Sequence, residues 1–476
     1  MWVRILRSGT RRMKYWKDFK RVGCCVPQHQ IYTLEQRCCQ ETAPYEVVMK
    51  KIIILFVLLQ GLLMAETVKH ISYKDTKVPV VFETGNFVPI VSMQLVFTNA
   101  GHLSNEKDGQ ADLSAKLLNE GTKKDGSVGF ATKLDAHAVE LSAHVGRESF
   151  VIELSSLKSE FPYALERMKE LLKDPNFTQN ALEQVKRQKI GWLMQKKSDF
   201  DYIAGTNLRQ LLFKGTALAR PYDGTLESVK SMGLDDLKHF IESRLGYNNM
   251  IAVVGGDISL DEALNSLEEI LPLLPKVKSE PIKPLRASDK KEVELIGEDT
   301  QQAYIYFGAP FDYSYKEKDQ YKAKIAEYLL GGAGFGSRLM EELRVKRGLT
   351  YGAYSVLRRT KYASYMSGYL QTKLSTQDEA VKLVRKVVSD FVEKGITAGE
   401  LKAAKQFLVG SEPLRTETLS QRLYRAYNEF YYGRPLGFSK EQLKKIEEVS
   451  LEEMNDFIKA HPELVDLSFA IVTKKN

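Results

Sequence analysis

Beyond Cys39 this chain of 476 residues contains no cysteine; its four, Cys24, Cys25, Cys38 and Cys39, all precede Met49. The remainder therefore folds without disulfides and carries no thiol nucleophile. It has no Gly-x-Ser-x-Gly elbow to present a serine instead, and no GxxxxGK[ST] loop to cradle a phosphate. Excess charge is also missing once the front is set aside. The full sequence has 69 basic and 61 acidic residues, but nine basic and four acidic ones precede Met49, and Lys50 and Lys51 follow it. From Glu66 onward 58 basic residues face 57 acidic ones. That balance gives no ground for a nucleic-acid or anionic-membrane partner. Long apolar runs are scarce. The one clear run, Ile52 to Met64, is interrupted by Gln60 and Gly61 and is too short to span a bilayer.

The run has another explanation. Met49, Lys50 and Lys51, the apolar stretch and Ala65 follow the plan of an export leader: a charged start, a hydrophobic middle and a small residue at the cut. Leu63 departs from it, since a small residue is preferred there. On this reading residues 1–48 are an upstream over-extension of the reading frame, residues 49–65 are a signal peptide, and the mature protein is periplasmic or secreted. Arg4, Arg7, Arg11 and Arg12 support a rival, a mitochondrial presequence, which leaves the apolar run unexplained. About 410 residues remain, enough for two domains with substantial cores.

Thr84-Gly85-Asn86 predicts a turn into a strand in which Val91, Met93, Leu95 and Phe97 alternate with smaller or polar residues. The periodicity then predicts a helix over 110–119, a hairpin of 139–145 and 150–154 around Gly146-Arg147-Glu148, helices over 161–173, 180–197 and 201–213, and a strand over 251–254. The second half repeats this order. Leu234-Asp235-Asp236-Leu237 recurs as Leu451-Glu452-Glu453-Met454, Arg220-Pro221 as Arg434-Pro435, and the strand 251–254 as 469–472. Spacing of this size marks a duplicated domain rather than a short solenoid repeat. Between the copies, residues 271–291 carry Pro272, Pro275, Pro281, Pro284 and several lysines, the composition of an exposed linker. The expected organisation is an N-terminal domain over 66–275, a linker over 276–291 and a C-terminal domain over 292–476. Strand pairs interspersed with helices argue for an α+β fold of largely antiparallel sheets packed against helices.

The most distinctive stretch is Gly331 to Ser355, GGAGFGSRLMEELRVKRGLTYGAYS. Gly331, Gly332, Gly334 and Gly336 follow an apolar helical run rather than a strand, which argues against a phosphate loop. Ser337 is placed to cap a helix with its hydroxyl. Leu339, Met340 and Leu343 give that helix an apolar stripe, Gly348 ends it, and Tyr351 and Tyr354 open a strand. Arg344 on the helix and Tyr351 at the strand entrance are then able to converge on one point. Taken alone, the pair is better read as an ordinary capped helix-to-strand connection with a surface arginine.

The pattern GG-x-G-x-x-SRL-x-x-x-LR-x-x-x-GL-x-Y resembles the second half of the insulinase/pitrilysin family of zinc peptidases, especially its processing-peptidase branch. The likeness extends from about Val78 onward. It implies two related domains facing one another as half of a clam-shell chamber, and it gives Arg344 and Tyr351 contact with substrate near the scissile bond. It also exposes a loss. The family's first copy carries H-x-x-E-H ahead of a GT dipeptide, two histidines to grip zinc and a glutamate to activate water. Counting back from Gly121-Thr122, Asp112 and Lys116 stand in place of the histidines and Ala115 in place of the glutamate. The third ligand falls at Gln195 and its companion glutamate at Gln188. Such a set does not hold zinc. Asp112 and Lys116 are expected to pair on the helix surface, worth a few tenths of a kcal/mol. The other histidines do not rebuild the site: Glu140 and His144 share a strand face about 13 Å apart, His137 has no evident partner, and His102 is expected to be solvated.

One half of the machinery is thus absent and the other present, as in the non-metal subunit of two-chain processing peptidases. That implies no cofactor in this chain, zinc in a homologous partner that keeps H-x-x-E-H, and short or unfolded peptides as substrate. The alternative is a peptidase-fold scaffold that binds peptides or partner proteins without cleavage; a stand-alone hydrolase fits least. A pure scaffold has no need of Arg344 and Tyr351. The leader is tested by fractionating a Gram-negative host and sequencing the N-terminus, which is expected in the periplasm at Glu66 or close by. A peptide from residues 1–48, or an uncleaved cytosolic chain, rules it out.

Overall fold

The computed structural model describes residues 67–85 and 88–475; the upstream segment, the leader and Asn86 of the expected turn lie outside them. Strands β1 (Thr67–Tyr73), β2 (Thr76–Thr84), β3 (Ile90–Thr98), β4 (Glu140–Val145), β5 (Ser149–Leu157) and β6 (Met250–Gly256) form one sheet, in the order β1-β2-β6-β3-β5-β4. The second sheet contains β7 (Leu285–Arg286), β8 (Val293–Glu298), β9 (Gln302–Pro310), β10 (Thr350–Arg359), β11 (Ala363–Lys373) and β12 (Ser468–Lys474). Its order is β10-β11-β9-β12-β8, with β7 beside β11. Neighbours run antiparallel except β2 with β6, β8 with β12 and β7 with β11. The path β2-β6-β3-β5-β4 recurs as β8-β12-β9-β11-β10, so the repeat in the sequence is a repeat of strand order. The class is α+β, two mixed sheets packed with helices.

In β3 the alternating Val91, Met93, Leu95 and Phe97 share a core with Phe161, Leu165, Met168, Phe240 and Leu267 from helices on one side of the sheet. In β9, Ala303, Ile305, Phe307 and Ala309 do the same with Leu329, Leu343, Val384, Val388 and Phe391. The opposite faces are also apolar in part, and each is covered by the other half of the chain. Helices α1 (Gln110–Leu118), α2 (Gln179–Lys196) and α3 (Phe200–Leu212) belong to the first half and α4 (Leu419–Tyr431) to the second. Leu208 and Leu212 of α3 pack among Tyr362, Tyr365 and Ala470 of the second half. Leu423 and Ala426 of α4 pack against Val81, Val96, Val151, Ile251 and Val253 of the first sheet.

Two glycines make this exchange possible. A Cβ on Gly308 in β9 would stand 2.7 Å from Leu212 Cδ1, and one on Gly255 in β6 would stand 3.0 Å from Leu423 Cδ2. Polar contacts fix the two helices along their sheets. Arg422 donates to the carboxylate of Glu83 in β2, a residue only 1% exposed. Asp201 accepts from Tyr306 Oη at 3.2 Å and Gln371 Nε2 at 2.8 Å.

The segment read as an exposed linker is partly buried. Leu271, Leu274, Val277 and Ala287 are core residues, and the Leu285 amide donates to the Tyr362 carbonyl at 2.6 Å. Its prolines set turns between apolar anchors that composition alone does not reveal. Because α4 completes the first sheet, Leu423→Ala is expected to destabilise the protein by about 2–5 kcal/mol, as for other buried leucines. Urea unfolding measures the loss, and faster amide exchange in β2 and β6 locates it. A loss below about 1 kcal/mol would mean that α4 lies on the first sheet without supporting it.

Candidate functional site

Two groups of side chains stand out, one in each half. In the first, α1 and α2 meet through Leu113 and Leu117 against Ala181, Leu182, Val185 and Leu193. Lys189 continues the buried series of Leu182 and Val185, so its stem is led inward and the residue is only 3% exposed. Gly109, at the N-terminus of α1, takes φ +83, and a Cβ there would stand 2.8 Å from Gly224 Cα. That approach brings Asp223 beside Asp112. Lys189 Nζ forms an ion pair with Asp112 Oδ2 at 2.9 Å, and that oxygen has no other partner among the described residues. It also donates to Asp223 Oδ1 at 3.1 Å. The Trp192 ring covers the ammonium, its centroid 4.2 Å from Nζ.

The surroundings are enclosed and polar. Tyr202 Oη donates to Asp223 Oδ2 at 3.4 Å; burial and then this carboxylate push the phenol up to about 12. His102 lies against the Tyr222 ring, 5.1 Å between centroids, with Nδ1 unpartnered among the described residues. Burial lowers its pKa to about 4 against the pull of Asp112 and Asp223, so the imidazole is neutral near pH 7.

In the second group the helix before the glycines ends in a π turn, Tyr328–Gly332; a 3-10 turn follows, and then an α turn, Arg338–Met340, runs into another π turn, Glu341–Val345. Gly331 is needed for packing: a Cβ there would lie 2.2 Å from Ser355 Oγ of β10. Gly332 closes the first π turn, Gly336 ends a separate 3-10 turn, Gly334–Gly336, and Gly334 and Gly348 take φ +56 and +62. Tyr351 sits in a bulge where β10 shifts register against β11, and its ring is 85% exposed. The Arg344 guanidinium lies over two rings, Phe335 and Tyr351, 4.5 Å from each centroid.

Sequence comparison gives the lineage. The profile for Insulinase (Peptidase family M16) matches residues 80–226 and that for the Peptidase M16 inactive domain matches 231–408. A Helicobacter pylori protein described as non-peptidase homolog YmxG is 47% identical over 431 residues, covering 90% of this chain and 99% of its own. This chain belongs to the M16 peptidase family. The beta subunit of the Saccharomyces cerevisiae mitochondrial processing peptidase is 21% identical over 186 residues, 39% of this chain and 40% of that one. A crystal structure of a Pseudomonas fluorescens M16 inactive domain has the same fold, with TM-score 0.79 and 23% identity over 86% of this chain and 99% of that one.

The M16 zinc position does not fit a metal here. Where a cation would stand between carboxylates, Lys189 already stands. Ala115 offers no base, and Gln188 and Gln195 are exposed rather than turned toward Asp112. Among the described residues no three His, Cys, Asp or Glu side chains cluster as a metal set. The expected Asp112–Lys116 pair is replaced by Asp112–Lys189, since Lys189 of the facing helix reaches the half-buried carboxylate. The count along α2 was one residue out of phase with its buried face. Lys189 and Asp223 were missed altogether; the visible signal was a lysine in step with Leu182 and Val185. His102 is enclosed rather than solvated. His137 has partners after all, Glu160 Oε2 at 2.7 Å and a stacked Tyr163. Ser337 begins its helix, but its hydroxyl donates back to the Gly334 carbonyl at 2.8 Å instead of capping. The purified chain, dialysed and analysed by mass spectrometry for metals, is expected to hold far less than one zinc per chain. A stoichiometric zinc would overturn this account of the pocket.

Proposed function

We propose that this protein is a non-peptidase M16 chain that acts as the non-metal subunit of a heterodimeric peptidase. Its partner would be a homologous chain that keeps H-x-x-E-H and brings the zinc. The observation that carries this reading is the stack of Phe335, Arg344 and Tyr351. A guanidinium held against aromatic rings keeps N–H donors at its edges to meet a peptide carbonyl. Tyr351 sets a hydroxyl beside it in solvent. Two such donors stabilise an oxyanion forming on a substrate and need no metal of their own. The substrate class is short or unfolded peptide, reached through a chamber completed by the partner, in the periplasm if the leader at 49–65 acts as read. The Lys189 pocket and the description of the Helicobacter pylori relative support the absence of peptidase activity in the chain alone.

Co-expression with a zinc-motif partner is expected to give a complex that cleaves peptides. In it Tyr351→Phe removes one donor and keeps the ring, with a loss of roughly a hundred- to a thousandfold in rate. Arg344→Ala is expected to do similar damage, partly through KM. Neither substitution should release the partner's zinc or dissociate the complex. Rates for both variants within about twofold of the unaltered complex would sink this reading and leave a binding scaffold in its place.

A further inference from the structure

We propose that the cavity beside Tyr222 is an anion site, holding one monovalent ion of chloride size next to the guanidiniums of Arg147 and Arg209. The argument does not depend on a partner chain or on cleavage. The cavity measures about 10 Å³, and its lining includes His102, Leu103, Arg147, Arg220 and Tyr222. Arg147 comes from the turn between β4 and β5 and Arg209 from α3. Both guanidiniums lie over the Tyr222 ring, 4.9 and 4.4 Å from its centroid. Two like charges gathered at one ring repel unless something of opposite sign stands by.

The chain itself does not supply it. Asp112 and Asp223 are engaged by Lys189, and Asp108 by Arg220, which leaves Arg147 and Arg209 without an ion pair among the described residues. Arg220 lines the cavity, but its donors are spent on Asp108 Oδ1 and on the carbonyls of Asn105 and Glu106. Arg147, Arg209 and Lys189 therefore face only Asp112 and Asp223, a surplus of one positive charge in an enclosed place. Burial lowers the Arg209 pKa, and the charge of Arg147 lowers it further, against the pull of Tyr222 and Asp223. Two buried nitrogens, Arg209 Nε and His102 Nδ1, have no hydrogen-bond partner among the described residues. One anion answers both deficits: it cancels the surplus and accepts charge-assisted N–H bonds. His102, neutral near pH 7, adds a third donor with its proton on Nδ1. The volume selects the ion, since space for about one water admits a halide and excludes a phosphate or a peptide chain.

The test uses the expressed chain at fixed ionic strength, with sodium gluconate replaced stepwise by sodium chloride. Thermal melting and the chlorine NMR linewidth of free chloride are the readouts. The wild type is expected to melt roughly 2–4 °C higher in chloride, saturably, and to broaden the chloride signal until bromide competes it away. Arg147→Met and Arg209→Met should each lose both effects. In gluconate each should melt within about 1 °C of the wild type, because one of two repelling charges is gone. Variants that melt equally lower in both salts would show arginines that only pack on Tyr222, and would overturn the proposal. A wild type whose melting and chloride linewidth ignore the anion would overturn it as well. If neither Met variant folds, the wild type decides alone: a saturable signal that bromide removes supports the site, and a flat one rejects it.

Discussion

The fold depends on an exchange. Each sheet has one face covered by helices of its own half and part of the other face covered by a helix from the opposite half, α3 on the second sheet and α4 on the first. Close approach requires a strand residue without a side chain, and Gly308 and Gly255 supply one on each side. Each contact also carries a polar clamp, Arg422 on Glu83 and Asp201 under Tyr306 and Gln371. The apolar contact holds the helix down, and the polar one fixes its position along the strands. Separating the halves would expose two apolar faces and strand a buried carboxylate, which is why the described residues of a duplicated chain form one compact unit.

Economy of charge also marks the two groups of side chains. An ammonium and a zinc ion both balance carboxylates, but they differ in what else they do. Zinc keeps open a coordination position and acidifies water there. A lysine has only three donors, delivers no Lewis acidity, and is always present at one per chain. The first half therefore keeps the packing of α1 on α2, with Ala115 where the motif has its glutamate and Lys189 beside the carboxylates. The second half spends its glycines on a different task. Gly331 presses the loop onto β10, and the bulge beyond it turns Tyr351 outward against Arg344.

What could be read from the sequence follows from the range of each interaction. The alternation in β3, the β4–β5 hairpin and the helix stop near Gly348 are local, and pattern alone places them within about three residues. The duplication was legible because both copies repeat the same short pairs. The exchange of α3 and α4 was not legible, because an amphipathic helix has the same apolar stripe whichever sheet it covers. The Lys189 site was lost through phase. Counting from the motif put Gln188 and Gln195 in the pocket, and a shift of one residue turns a helix by about 100°, enough to send those side chains outward. His102 failed for the opposite reason: a polar turn reads as solvent-facing unless one knows that Tyr222 will fold over it.

The clamp between Glu83 and Arg422 joins residues 339 positions apart. A chain made from its N-terminus completes β2 long before the helix that covers it exists. Until residues 419–431 have been synthesised, Val81, Val96, Ile251 and Val253 have no cover on that face. The first half is therefore an unfinished object for most of its own synthesis, with a carboxylate waiting beside an apolar sheet. Its final stability arrives late and all at once. A chain truncated before Leu419 would be expected to meet chaperones and proteases rather than to persist as an N-terminal domain.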